Sequence, residues 1–315
     1  MIELIKHGTT IDFMGKRKYV MTFSLLISLV AFYGIFNKMN YGVDFRGGAE
    51  IQTKFEKPIH LDEIRDSLSK GGFKGTSVQT IGDDKDNEVL IKVQAEEGSL
   101  NEITSNVTKA LHESFVENKI EVRKVDIVGP KAGSELRLSA IKAMFWAILS
   151  IMVYMAIRFD MRYAPGVMVS LFHDIVIVAG IYAFAGTEFS LQTVAALLAI
   201  IGYSVNDTVI VYDRIREHEE KGDHSKDLRT HINDAVNDTL SRTILTSAAT
   251  LLVSASMYFF GGAAIKDFFF AMSIGIIFGT YSSVYVAAST TLFIDGLMKK
   301  SASNQSKSNA NKVTV

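Results

Sequence analysis

Two polar residues stand inside an apolar run where only chemistry or pairing would put them. The stretch LQTVAALLAIIGYSVNDTVIVYDRIR (residues 191–216) carries Asn206 and Asp207. At about 1.5 Å per residue its first part, residues 191–212, is long enough to cross a hydrocarbon core of about 30 Å. An ionised side chain at the centre of a membrane helix costs about 2.5–3.5 kcal/mol on insertion scales, so a mere anchor would carry leucine there. Asp207 is therefore read as a proton or ion site, or as a charge paired across helices. The alternative is a residue close enough to the cytoplasmic end to reach the interface. Arg242 stands just inside the start of the next apolar run, at a depth matching that of Asp207. Burial favours a neutral acid and a nearby guanidinium favours its carboxylate, so a site alternating between the two states would load and release a proton. For Arg242 the competing reading is snorkelling to the headgroups. His173 and Asp174 lie near the middle of a third apolar run. Asp174 joins Asp207, Asn206 and Arg242 as a proton-coupling candidate, against an interhelical hydrogen bond that only fixes packing.

Bulk composition narrows the setting. The chain has 315 residues, 48% of them hydrophobic, and a positive mean hydropathy. Several runs of membrane length decide for a membrane protein with a soluble part. The net charge of −1 averages a charged insert with nearly uncharged spans. With no cysteine, disulfides and thiolate zinc sites are excluded, which suits an oxidising compartment. No basic patch with interleaved aromatics points to nucleic acid. No nucleophile–base constellation or phosphate loop appears in the right context, so neither enzyme chemistry nor a cofactor is expected. His218, His224 and His231 invite a metal reading, but their spacing fits no single helical face and a solvated connector explains them better.

The elements that position these residues can be read in order. Residues 1–18 hold Lys6, Lys16, Arg17 and Lys18, and the first membrane helix follows at 19–36. That run is longer than a signal-peptide core and lacks a small-x-small cleavage site, so an uncleaved helix with a cytoplasmic N-terminus is expected. Residues 37–138 change character and form an extracytoplasmic domain. Strands are expected at 50–55, 77–81, 88–94 and 120–128, and amphipathic helices at 61–70 and 100–115, with the turn-forming GDDKDN between the middle strands. The resulting β-α-β-β-α-β order is that of a ferredoxin-like α+β domain with sheet order 4-1-3-2. At its start, YGVDFRGGAEIQ brings Asp44, Phe45, Gly47 and Gly48. The glycines read as a tight turn into the first strand, not a phosphate cradle, because no helix start follows them. VGPKAG (residues 128–133) reads as a break before the next membrane helix.

Further membrane helices are expected at 139–157, 164–185, 191–212, 239–260 and 268–293. Arg158 and Arg162 mark a cytoplasmic loop, and residues 213–238 form a charged cytoplasmic connector. Leu228, Ile232, Val236 and Leu240 make an apolar stripe suited to lying along the membrane surface. Thr246, Thr250 and Ser254 continue the face of Arg242. Ala271, Gly275, Gly279, Ser283 and Ala287 form a small-residue stripe that lets helices pack closely. The tail, residues 294–315, is Ser/Asn/Lys-rich and expected to be disordered in the cytoplasm. The fold class is thus an α-helical polytopic membrane protein with six transmembrane helices. A ferredoxin-like domain stands between the first and second.

With these elements in place, one family accounts for the motifs. GYSVNDTVIVYDRIRE (residues 202–217), with Gly202, Asp213 and Arg214, resembles the helix-four signature of the SecD/SecF family of protein-export membrane proteins. YGVDFRGG (41–48), VGPKAGSELR (128–137), LFHDI (171–175) and LSRTILTS (240–247) match in the same order, and the resemblance covers nearly the whole chain. It implies membership of the resistance-nodulation-division superfamily and, by motif match, a proton-coupled role for Asp207 and Arg242. It also implies a SecD partner completing a twelve-helix unit beside the SecYEG channel, with YajC as a further candidate and unfolded preproteins as cargo. Tyr212 stands where the family often has phenylalanine. The function implied is that of an auxiliary export subunit in the cytoplasmic (inner) membrane, using the proton gradient to promote preprotein release. The competing readings are half of a proton-coupled antiporter and a passive assembly scaffold.

Overall fold

The computed structural model describes residues 10–73, 76–81, 86–94, 100–221 and 225–313. Lys6, His224 and most of the GDDKDN turn lie outside the described residues. In chain order the elements are α1 (Arg17–Lys38), a one-turn α2 (Val43–Arg46), β1 (Gly48–Phe55), α3 (Leu61–Lys70), β2 (Ser77–Ile81), β3 (Glu88–Gln94), α4 (Leu100–Ser114) and β4 (Ile120–Val128). Then follow α5 (Pro130–Arg158), α6 (Ala164–Ala185), α7 (Leu191–Lys221), α8 (Leu228–Phe260) and α9 (Ala263–Tyr281). A π-helical stretch (Ser282–Ala287) joins α9 to α10 (Ala288–Val313). Among the described residues six helical runs are long and apolar enough to cross a membrane.

The small domain is an antiparallel sheet of order β2-β3-β1-β4, the expected ferredoxin-like arrangement. Alternation along β1 turns Ile51, Thr53 and Phe55 inward. On that face α3 contributes Ile64 and Leu68, and α4 contributes Ile103, Val107 and Leu111, to a core with Val78, Val89, Ile91 and Val93. Helical spacing of these residues is what makes each helix one-sided, and the sheet is the only surface that can cover them.

Several boundaries differ from the sequence expectation, each for a packing reason. The second membrane helix begins at Pro130, not Ser139, so only Gly129 separates it from β4. Proline suits a first helical turn, and a Cβ on Gly133 would sit 3.0 Å from the carbonyl carbon of Phe45. That close contact seats α2 on the start of α5. The charged connector is largely helix: α7 runs on to Lys221 and α8 begins at Leu228. Pairs such as Arg214–Glu217 (2.6 Å) and Arg216–Glu220 (2.7 Å) support the extension. The stripe of Leu228, Ile232 and Val236 does not lie on the membrane surface. It is buried against Phe13, Met14, Tyr212 and Ile215, because α7 and α8 extend together and cover each other's apolar faces. The tail is not irregular either: the backbone stays helical to Val313, and no proline or glycine follows Gly296 to stop it.

The sheet domain is welded to the membrane helices. Lys92 of β3 reaches Glu50 at 3.1 Å and Glu188, in the α6–α7 turn, at 3.2 Å. Burial alone would lower the Lys92 pKa, but Glu188 and Glu50 outweigh it and hold the ammonium above its ordinary value of 10.5. A raised lysine contributes stability that is full below its unfolded pKa and is lost as pH rises through the folded one. Lys92→Met should therefore melt at lower temperature than the parent protein near neutral pH. The gap should close as pH climbs beyond about 10.4, as measured by thermal unfolding in detergent across an alkaline series.

Candidate functional site in the membrane helices

Asp174 is a buried carboxyl with both oxygens engaged. It is 1% exposed, in the middle of α6. Its Oδ2 accepts hydrogen bonds from Ser204 of α7 and from Ser282, each at 2.7 Å. Its Oδ1 faces Nδ1 of His173 at 3.1 Å. One side chain thus ties three membrane helices. Ser282 opens the π-helical stretch, where one extra residue per turn shifts the register of the last membrane helix. His173 also lies 6.1 Å, ring to ring, from Tyr281, whose hydroxyl meets Ser24 of α1 at 2.7 Å.

Asp207 lies three residues after Ser204 on α7, so the two share a helix face. It is also 1% exposed. Its hydrogen-bond contact is loose, from Ser247 of α8 to Oδ2 at 3.4 Å. Ser247 in turn meets Thr280 at 2.7 Å and the Tyr203 hydroxyl at 3.2 Å. Two buried carboxyls are therefore each served by hydroxyls, Asp174 by Ser204 and Ser282, and Asp207 by Ser247, which in turn meets Thr280 and Tyr203. Hydroxyls both donate and accept, so this arrangement can hold or pass a proton at either carboxyl.

Asp207 and Arg242 do not come within ion-pair distance, although the guanidinium charge still acts on the carboxyl. Arg242 is exposed and makes no ion pair among the described residues. It lines a cavity of about 490 Å³ with Arg158, Asp213, Arg214, Glu217 and Asp238. The reason is rotational: Thr239, Thr243, Ser247 and Ser254 turn inward on α8, which leaves Arg242 and Thr246 on the outer side. Asn206 and Gly202 likewise face outward on α7. Arg214 clasps Asp238 through Nε at 2.9 Å and Nη2 at 2.6 Å, and Asp213 approaches Arg158 at 3.8 Å. His218 meets Asp238 at 3.0 Å and stacks 6.5 Å from His231.

The small-residue stripe lies where α7 and α9 touch. A Cβ on Gly275 would stand 2.4 Å from Ile200, and one on Gly279 would stand 3.2 Å from Ser204. Ser283 is fully buried and donates to the Thr280 carbonyl at 3.0 Å. Sequence reading missed Ser204, Ser247, Thr280 and Ser282. The first two sit inside quoted motifs, where their spacing from Asp207 and Arg242 offered a signal. Ser282 had none, because a π-helical register is invisible to a 3.6-residue period.

Losing either serine should leave an acceptor on Asp174 unmet at a cost of about 1–3 kcal/mol. Ser204→Ala and Ser282→Ala should each lower the unfolding temperature in detergent, and the double variant should fall short of additivity because both act on one oxygen. Ser256→Ala, whose hydroxyl bonds only its own helix at the Leu252 carbonyl, should be neutral.

Comparison with known proteins shows the family. The family model described as "Protein export membrane protein SecD/SecF, C-terminal" matches residues 107–296, and "SecD/SecF GG Motif" matches residues 33–59. The protein translocase subunit SecF of Calditerrivibrio nitroreducens is 39% identical over 302 residues, covering 95% of this chain and 99% of the relative. That of Rickettsia conorii is 38% identical, with coverage of 95% and 97%. Among solved structures, SecDF from Thermus thermophilus, described as a translocon-associated membrane protein, aligns with a TM-score of 0.77 at 34% identity. The match covers 92% of this chain but 39% of that one. SecDF in its super-membrane-facing form gives 0.72 at 34% identity, covering 96% of this chain and 41% of that one. This chain spans about two fifths of those longer SecDF polypeptides. Two buried carboxyls, a welded outer sheet domain and full-length relatives of one kind lead to one conclusion: the chain belongs to the SecD/SecF family, as a SecF-type auxiliary subunit of the Sec translocase.

Proposed function

We propose that this subunit works with SecD, beside SecYEG and with YajC as a further neighbour, to draw on the proton gradient for preprotein release. Asp207 is the proton-carrying group. The observation that carries this reading is a buried membrane carboxyl with, among the described residues, a single loose hydroxyl contact and no ion pair. A purely structural charge would be tightly paired, since an unpaired one is costly in hydrocarbon. Asp174, with two short serine contacts, has the more structural surroundings of the two. Moving one elementary charge through 100 mV supplies about 2.3 kcal/mol, on the scale of that insertion cost. The subunit needs no hydrolytic chemistry of its own in this scheme.

The membrane is the cytoplasmic one, with both termini inside and the sheet domain outside. Charge supports that orientation: the turn at residues 186–190 has no Lys or Arg, whereas the α7–α8 segment carries Arg214, Arg216, Lys221, Lys226 and Arg229. SecD covers the face where α7 exposes Ala195, Ala199, Gly202 and Asn206 and α8 exposes Arg242 and Thr246. Polar atoms on that face would be expensive against lipid, and the small residues allow close helix approach.

Asp207→Asn keeps size and most hydrogen bonding but cannot ionise. It should accumulate and copurify with SecD normally, yet lose gradient-dependent stimulation of export in membrane vesicles. Full stimulation in that variant would sink the proton-site reading in favour of a scaffold. Among the described residues, nothing beyond its own helix lies within 4 Å of a Cβ on Gly202. Gly202→Leu should therefore leave the chain's own melting in detergent unchanged while sharply lowering its recovery with SecD. Unimpaired recovery would place the partner on another face.

A further inference from the structure

The glycine-motif segment does more than turn the chain into β1. Asp44 of α2 places Oδ2 2.9 Å from the backbone N–H of Leu191, the first residue of α7. That N–H is one of those a helix leaves without an internal partner, and the positive end of the helix favours a carboxylate there. Beside it, Gly42 N–H donates to the Phe189 carbonyl at 3.0 Å and Phe189 N–H donates to the Asn40 carbonyl at 2.7 Å. The Phe189 ring packs 6.2 Å from Tyr41 and 6.0 Å from Phe45. On its other side α2 is wedged against α5 and runs through Gly47 into β1. Gly47 has φ +89°, and a Cβ there would come within 2.8 Å of Pro130. So α2 is a block held between the outer sheet and the first turn of α7, the helix that carries Ser204 and Asp207.

We infer that Asp44 is a positioning residue that couples α7 to the outer domain: its carboxylate grips the first turn of α7, and α2 passes displacement of that helix to the sheet. This rests on the proton-site reading of Asp207. Leu191, whose N–H Asp44 holds, and Asp207 are sixteen residues apart on α7, about 24 Å at 1.5 Å per residue. A continuous hydrogen-bonded helix transmits axial and rocking motion over that length. The main-chain bonds at Gly42 and Phe189 do not depend on the Asp44 side chain, so removing the carboxyl leaves the domain attached while loosening its hold on α7.

The test uses the full chain reconstituted with SecD, carrying a single spin-labelled cysteine at the exposed position Glu113 in this cysteine-free sequence. Imposing a proton gradient should change the label's spectrum, and Asp44→Ala should reduce both that change and gradient-stimulated export by about five-fold or more. Asp44→Asn still accepts from Leu191 N–H and should retain most of both. Leu191→Pro deletes the donor at a first-turn position that tolerates proline, and should reproduce the loss even if Asp44→Ala fails to accumulate. Retention of the gradient response in Asp44→Ala or Leu191→Pro overturns the coupling role, as does equal impairment by Asn and Ala. Asp207→Asn run in parallel separates the two ideas. If it keeps the response, the proton site is wrong. If it loses the response while the Asp44 and Leu191 variants keep it, only the coupling is wrong.

Discussion

A carboxyl inside a membrane bundle must find its hydrogen-bond partners in protein, because lipid offers none. That requirement organises this molecule. Asp174 meets it by drawing Ser204 and Ser282 to one oxygen, and so fixes how α6, α7 and the last membrane helix sit against each other. The approach is close enough only because Gly275 and Gly279 put bare backbone where α7 passes. A larger side chain at either glycine would push α7 away and take Ser204 with it. Packing and polar satisfaction are therefore one constraint here. The π-helical stretch belongs to the same solution, since it begins at the serine that faces the carboxyl.

Asp207 shares the α7 face of Ser204 but not its surroundings. Its contact with Ser247 is long, and Ser247 is itself engaged by Thr280 and Tyr203. The contrast between one tightly held carboxyl and one loosely held carboxyl a turn away suits a division of labour. In the proposed scheme the first holds the helices in register and the second changes state. Arg242 is turned outward beside a charged cavity and is not locked to Asp207 by an ion pair.

The sheet domain matters to this site because it is not tethered by a loose linker. Only Gly129 lies between β4 and α5, and α2 is braced on the starts of both α5 and α7. The Lys92–Glu50–Glu188 cluster adds a charged contact from the sheet to the α6–α7 turn. Short connections of this kind leave little slack between the helices and the domain.

Local patterns were enough to read the six spans, the β-α-β-β-α-β order and the two carboxyls, because apolar length and side-chain period are properties of neighbouring residues. The bounds of α3, β2, β3, β4 and α6 were legible for the same reason. Where a helix ends in the absence of a breaker was not: α7 and α8 outrun their apolar cores because tertiary covering and pairs such as Arg216–Glu220 sustain them, and α10 runs on because no proline or glycine stops it. Nor could sequence choose the partners of each carboxyl. Arg242 matched Asp207 in depth, but rotation of α8 about its axis put Ser247 inward and the arginine outward. Depth follows from position along the chain, whereas rotation is decided only when whole helix faces compete for burial. Asp44 shows the same division. Its motif marked a turn, and only the folded chain brings that turn to the N-terminus of a helix that begins 147 positions later.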